Sequence, residues 1–126
     1  MDFALSERVL ELRERLRAFL VEHVLPREAE LARAIDDEVA PGVAYPEAIR
    51  ELRARAREEG LWNLWLANHH EGPGLTNVEY GVLCEEMGRA TIAAAYTFNC
   101  QPPDSGNMEI LVEHATAEQR ERFLHP

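Results

Sequence analysis

His69-His70-Glu71 brings together side-chain types that ligate zinc and other borderline metals. Ligands on a helix converge on one ion when they are three or four residues apart. Consecutive side chains diverge instead, and His114 and His125 lie far along the chain. The cluster therefore reads as a solvated loop, and no metal site is expected. The carboxylate pairs Glu58-Glu59 and Glu85-Glu86 are adjacent on predicted helices. Their members point about 100° apart, which suits solvent better than acid/base chemistry. Gly72-Pro73-Gly74 precedes a helix start, where an anion could bind the free backbone N–H groups. Glu71 and Glu79 beside it make that electrostatically poor, so the glycines read as a tight turn. Cys84 and Cys100 have neither disulfide-framework nor metal spacing and read as reduced, packed thiols. No catalytic, metal or cofactor-binding residue is expected in this chain.

The elements that hold these residues follow from apolar spacing. Val9, Leu12, Leu16, Phe19, Leu20 and Val24 recur at intervals of three and four, one face of a helix. Ser6 is its expected N-cap. Pro26 removes a backbone donor and should break or kink this helix, with "REAELARAI" resuming it. Residues 36–46 carry two prolines, a glycine and an acidic pair and read as a loop. Pro46 suits the first turn of the next helix, which turns Ile49, Leu52 and Ala56 inward and stops at Gly60. "LWNLWL" is a buried run too short for a helix. Thr76 and Glu79 form a capping box for a helix that ends at Gly88. "TIAAAYTF", "SGNMEILVEHA" and "TAEQRERFL" are read as three more helices, the last capped by Thr116 with Gln119. The expectation is an all-α bundle of about six helices in a single domain over residues 1–126.

Composition narrows the function. The chain has 126 residues, 46% of them hydrophobic, enough for one core. No apolar run approaches the roughly 18–20 residues of a membrane span, and residues 1–15 lack the pattern of a secretion signal. A soluble, cytoplasmic protein is the default expectation. The net charge of -10, with Arg as the basic residue throughout, argues against nucleic acid as a partner.

The ordered series "EEGLWNLWL", "EGPGLTNVEYGVLCEEMGRA" and "FNCQPPDSGNMEILVEHATAEQRERFL" resembles the N-terminal helical domain of the acyl-CoA dehydrogenases over essentially the whole chain. Its landmarks are the Glu-x-Gly-Leu helix end, the Gly-x-Gly-Leu-Thr loop, the Glu85-Glu86-Met87-Gly88 helix end and the closing helix from Thr116 to Leu124. The chain departs from the pattern at Ala67, where the family often has Pro, and at Glu71-Gly72, where it often has Gly-Gly.

The resemblance implies a parent enzyme that abstracts an α-proton from an acyl-CoA thioester while FAD accepts a β-hydride. It implies flavin-binding strands and a glutamate base beyond residue 126, so this chain alone is expected neither to hold FAD nor to oxidise acyl-CoA. By family position, Phe98, Asn99, Gln101 and Ser105 are the expected lining of the acyl pocket, with core and loop packing as the competing reading. Apolar "GLWNLWL" and "ATIAAAYTF", uncovered by missing domains, are expected to drive a homo-oligomer. The alternative is a standalone helical interaction module without chemistry.

Overall fold

The computed structural model describes residues 4–38, 44–67, 70–90 and 92–125, and among these the regular structure is all helical. Helix α1 spans Glu7–Phe19, with the Ser6 hydroxyl accepting the Val9 amide, and buries Val9, Leu12, Leu16 and Phe19. The right-handed path continues through a wide π turn, Leu20–Val24, and a tight 3-10 turn, Leu25–Arg27, into α2, Glu28–Glu38. Pro26 therefore disturbs the helix without ending it. It has no N–H for the carbonyl four residues back, and the change of winding on either side absorbs that loss. Helix α2 also runs past the expected start of the loop, through Asp36, Asp37 and Glu38. All three acids are exposed, so their cost is confined to a mismatch with the helix C-terminal dipole. The remainder of the expected loop at 39–43 lies outside the described residues.

Helix α3, Glu47–Glu58, begins after Pro46 and buries Ile49, Leu52 and Ala56. Its end is a Schellman motif: Leu61 N–H donates to Ala56 O and Gly60 N–H to Arg57 O, with Gly60 at φ 65°. The run after it is buried without being helical, as Leu61, Leu64 and Leu66 are at most 2% exposed. Helix α4, Asn77–Met87, starts with the Thr76–Glu79 capping box. The short α5, Ala93–Thr97, is less than was expected of "TIAAAYTF". Helix α6, Asp104–His114, and α7, Ala117–Phe123, close the chain, α7 with the Thr116–Gln119 capping box. Counting α1 and α2 as one bent rod, the described residues form six helical units, as expected.

Packing follows the apolar faces. Helix α4 lies along α1, α5 against α3 and α2, and α6 against α7. One core unites Leu16, Phe19, Leu20, Leu31, Ile49, Leu83 and Phe98. Further sequence expectations need correction, among them Glu86, which reads as solvated in the sequence but is buried under Arg13 and Arg17. Cys84 is exposed rather than packed, because it faces outward from α4, while Cys100 is half-buried. The apolar groups of "GLWNLWL" and "ATIAAAYTF" do not form an open patch: Leu61, Leu64, Ala93, Ala94 and Phe98 are buried in the bundle. Of these segments only Ile92 is among the large exposed apolar groups of the described residues, and the others lie elsewhere, at Leu10, Val21, Val78, Ile110 and Phe123. His125, set aside for its distance in sequence, is brought to Glu71, with Nε2 3.4 Å from the carboxylate.

Candidate functional site

Two left-handed asparagines organise the centre of the site. Asn63 interrupts the buried run at φ 55°, and Asn99 follows α5 at φ 58°. Asparagine tolerates this region better than most residues because its short amide can bond locally. Asn99 Nδ2 donates to Asn63 Oδ1 at 2.8 Å and to the Met108 sulfur at 3.0 Å. The Asn63 amide donates to Phe98 O, and Trp65 Nε1 donates to Asn99 O at 2.7 Å. A turn that could be loose is thus fixed from three sides.

Arg53 of α3 reaches over this turn. Its Nη1 donates to Tyr96 O at 2.9 Å and its Nη2 to Asn99 Oδ1 at 3.1 Å. The guanidinium lies 4.4 Å from the Tyr45 ring centre and 4.6 Å from that of Trp62. Arg57, one helical turn on, lies 4.0 Å from the Trp62 ring centre. Such stacking compensates a guanidinium removed from water. Burial still lowers the Arg53 pKa from its ordinary value, and the neighbouring Arg57 charge lowers it further.

Beside it, Tyr45 Oη donates to Asp104 Oδ2 at 2.7 Å, and Gln101 Nε2 donates to the same oxygen at 2.8 Å. Burial, followed by the Asp104 carboxylate, raises the Tyr45 pKa. A cleft of about 690 Å³ opens over these groups, lined by Arg53, Arg57, Trp62, Asn63, Asn99 and Asp104 together with residues of α6 and the end of α7.

The expected pocket residues fall into different settings. Asn99 lines this cleft. Phe98 is fully buried in the core, its ring 5.3 Å from that of Phe19 in an edge-on contact. Gln101 is buried in the Tyr45–Asp104 cluster, its Oε1 without a hydrogen-bond partner among the described residues. Ser105 is half-buried in the first turn of α6, its amide donating to Gln101 O. Sequence reasoning missed Arg53, Tyr45, Asn63 and Asp104. One signal was available: Asn63 is a lone amide inside an otherwise apolar run. Arg53 gave none, since it looks like any charged residue at the border of an amphipathic helix.

Of the metal-type cluster, His69 lies outside the described residues. His70 is exposed, and Glu71 is half-buried beside His125. Among the described residues no three metal-type side chains gather. No helix there is long and apolar enough to cross a membrane.

Comparison with known proteins gives one consistent relationship. Residues 6–126 match the family described as "Acyl-CoA dehydrogenase, N-terminal domain". The chain is 45% identical over 129 residues to acyl-CoA dehydrogenase family member 10 of Mus musculus, covering 97% of this chain and 12% of that protein. It is 42% identical over 129 residues to the probable acyl-CoA dehydrogenase FadE2 of Mycobacterium tuberculosis, covering 100% of this chain and 30% of that protein. A solved structure of a putative acyl-CoA dehydrogenase from Mycobacterium abscessus superposes with a TM-score of 0.77 at 39% identity, over 98% of this chain and 32% of the other. The chain thus spans less than a third of the length of these relatives. Matched by the family model over residues 6–126 and by these relatives along nearly its full length, this chain belongs to the acyl-CoA dehydrogenase N-terminal domain family.

Proposed function

We propose that this chain forms one wall of the acyl pocket of a flavin-dependent acyl-CoA dehydrogenase and packs against that enzyme's other domains. The observation that carries the reading is Asn99. It is buried and left-handed, it is bonded to Asn63 and Arg53, and it faces a cleft. A wall of this kind works by position. Rigid groups set where an acyl chain lies relative to a base and a hydride acceptor, and misplacement of about 1 Å is costly in rate. Phe98 and Gln101 support the turn from beneath, and Ser105 stands at the entry to α6.

By family resemblance the FAD and the catalytic glutamate are held by segments outside this sequence, and no residue described here is assigned to either. When bound, the flavin accepts the β-hydride. Exposed Leu10, Val21, Val78, Ile110 and Phe123 supply apolar surface for partner domains or for a second subunit.

The test uses the protein encoded by the complete reading frame, assayed with acyl-CoA thioesters of graded length and an artificial electron acceptor. Asn99→Leu should change the ranking of substrates by kcat/KM while FAD absorbance is retained. An unchanged ranking in a folded, flavin-loaded variant would remove Asn99 from the pocket. If the reading frame ends at Pro126 and the product is colourless and inactive, the standalone interaction module is the correct reading.

A further inference from the structure

We propose that the cleft over α3 and α6 is a binding site for a small oxyanion, the carboxylate or phosphate group of a ligand, held by the guanidiniums of Arg53 and Arg57. The chain carries a net charge of -10, so most of its surface repels anions. This cleft is a local exception. Five arginines of the bundle lie against carboxylates: Arg13, Arg17 and Arg89 on Glu86, Arg27 on Glu30 and Arg50 on Glu47. Among the described residues, neither Arg53 nor Arg57 has a carboxylate within ion-pair distance.

The two acids in the cleft lining are turned to other partners. Asp104 accepts from Tyr45 and Gln101, and Glu71 is beside His125. Arg53 donates to a carbonyl and an amide oxygen, which carry no formal charge. Arg57 is held by stacking on Trp62, which leaves the donors at the guanidinium edge available. Two guanidiniums on one helix, one turn apart and flanking one indole, repel each other. An anion between or beside them relieves that repulsion. The planar fork of arginine matches the oxygens of carboxylate and phosphate in pairs. Asn63, Asn99 and Asn107 add amide groups to the same lining.

This inference concerns the same cleft as the acyl-pocket reading but is tested separately, by direct binding to the 126-residue chain with neither flavin nor turnover. The probes are inorganic phosphate and acetate, each titrated at constant ionic strength against sodium chloride. Binding is read from tryptophan fluorescence, since Trp62 touches both guanidiniums. The expected result is a saturable change that Arg57→Gln weakens by about tenfold, the loss of one charged, forked donor. Arg57→Lys, which keeps the charge but loses the fork, should fall between. Arg57 is exposed, so Arg57→Gln should keep the helical circular dichroism of the parent, which is measured alongside. A response to phosphate alone or to acetate alone identifies the oxyanion. The proposal is overturned if neither anion gives a saturable change beyond chloride, or if Arg57→Gln, still folded, binds as tightly as the parent.

Discussion

At the seam of α1 and α4 a carboxylate is buried, whereas beneath the cleft of α3 and α6 a guanidinium is half-buried. Glu86 has a side chain only 9% exposed, and it accepts from Arg13 Nε at 3.0 Å and Arg17 Nε at 3.2 Å, with Arg89 3.8 Å away. The Arg17 hydrogen bond, reinforced by Arg13, holds its pKa down from 4.5 to about 2. Its charge is answered more than once, as suits a strut between two helices. Arg53 meets aromatic faces and neutral oxygens, and among the described residues no carboxylate lies within ion-pair distance of it, the Asp104 charge acting only from further off. Compensation by stacking fixes a cation without neutralising it. The first arrangement consumes its charge in holding the fold, and the second keeps charge in reserve beside an open cleft.

Four experiments test that contrast, beginning with the largest effect. Both regions rest on the same core, so Phe98→Ala should cost about 3–5 kcal/mol, the usual range for truncating a fully buried aromatic ring. Urea unfolding measures it, and a loss under about 1 kcal/mol would mean that the Asn99 turn does not rest on Phe98. Arg53→Ala comes next, at about 2–3 kcal/mol. It leaves Asn99 Oδ1 and Tyr96 O without their donor and strips packing from Tyr45 and Trp62. Arg53→Met, which restores bulk alone, should recover only part of this in the same assay. If it recovered everything, the hydrogen bonds would carry no weight.

The third experiment is acid titration. Because the folded pKa of Glu86 is depressed, its stabilisation is fully present above about pH 4.5 and is lost as the pH falls toward about 2. The arginines around it are partly solvated, so the amount is about 2 kcal/mol rather than the full value of the shift. Thermal melts across this window should show a smaller acid loss in Glu86→Gln, and equal loss in both proteins would place the acid sensitivity elsewhere. The smallest effect is Thr76→Ala, about 1 kcal/mol for a lost N-cap, seen as a lowered melting temperature. It belongs to the α4 side and should leave anion binding at Arg57 unchanged.

Much of the α1–α4 side was legible in the sequence. Ser6 and Thr76 act within a few residues of themselves, and the spacing of Val9, Leu12 and Leu16 states which face is buried. The Arg53 side was legible only in outline. Family resemblance pointed to Asn99 and Gln101, but nothing in the chain pairs Arg53 with a residue 46 positions away. Glu86 shows the same limit: as half of a Glu-Glu pair on a helix it reads as solvated, yet it is buried under Arg13 and Arg17, 73 and 69 residues distant.

By itself, then, the sequence determined the helices, their caps, the inward faces and the family, because each depends on periodicity, on local hydrogen bonds or on an ordered series of short motifs. The tertiary structure decided which charges are answered and which are left to stack, and that Asn63 and Asn99 bond across 36 positions. It also decided that His125 meets Glu71. The physical reason is that burial and pairing of polar groups are properties of two chain segments meeting in space, and a residue's own neighbours in sequence carry no record of the segment that will cover it.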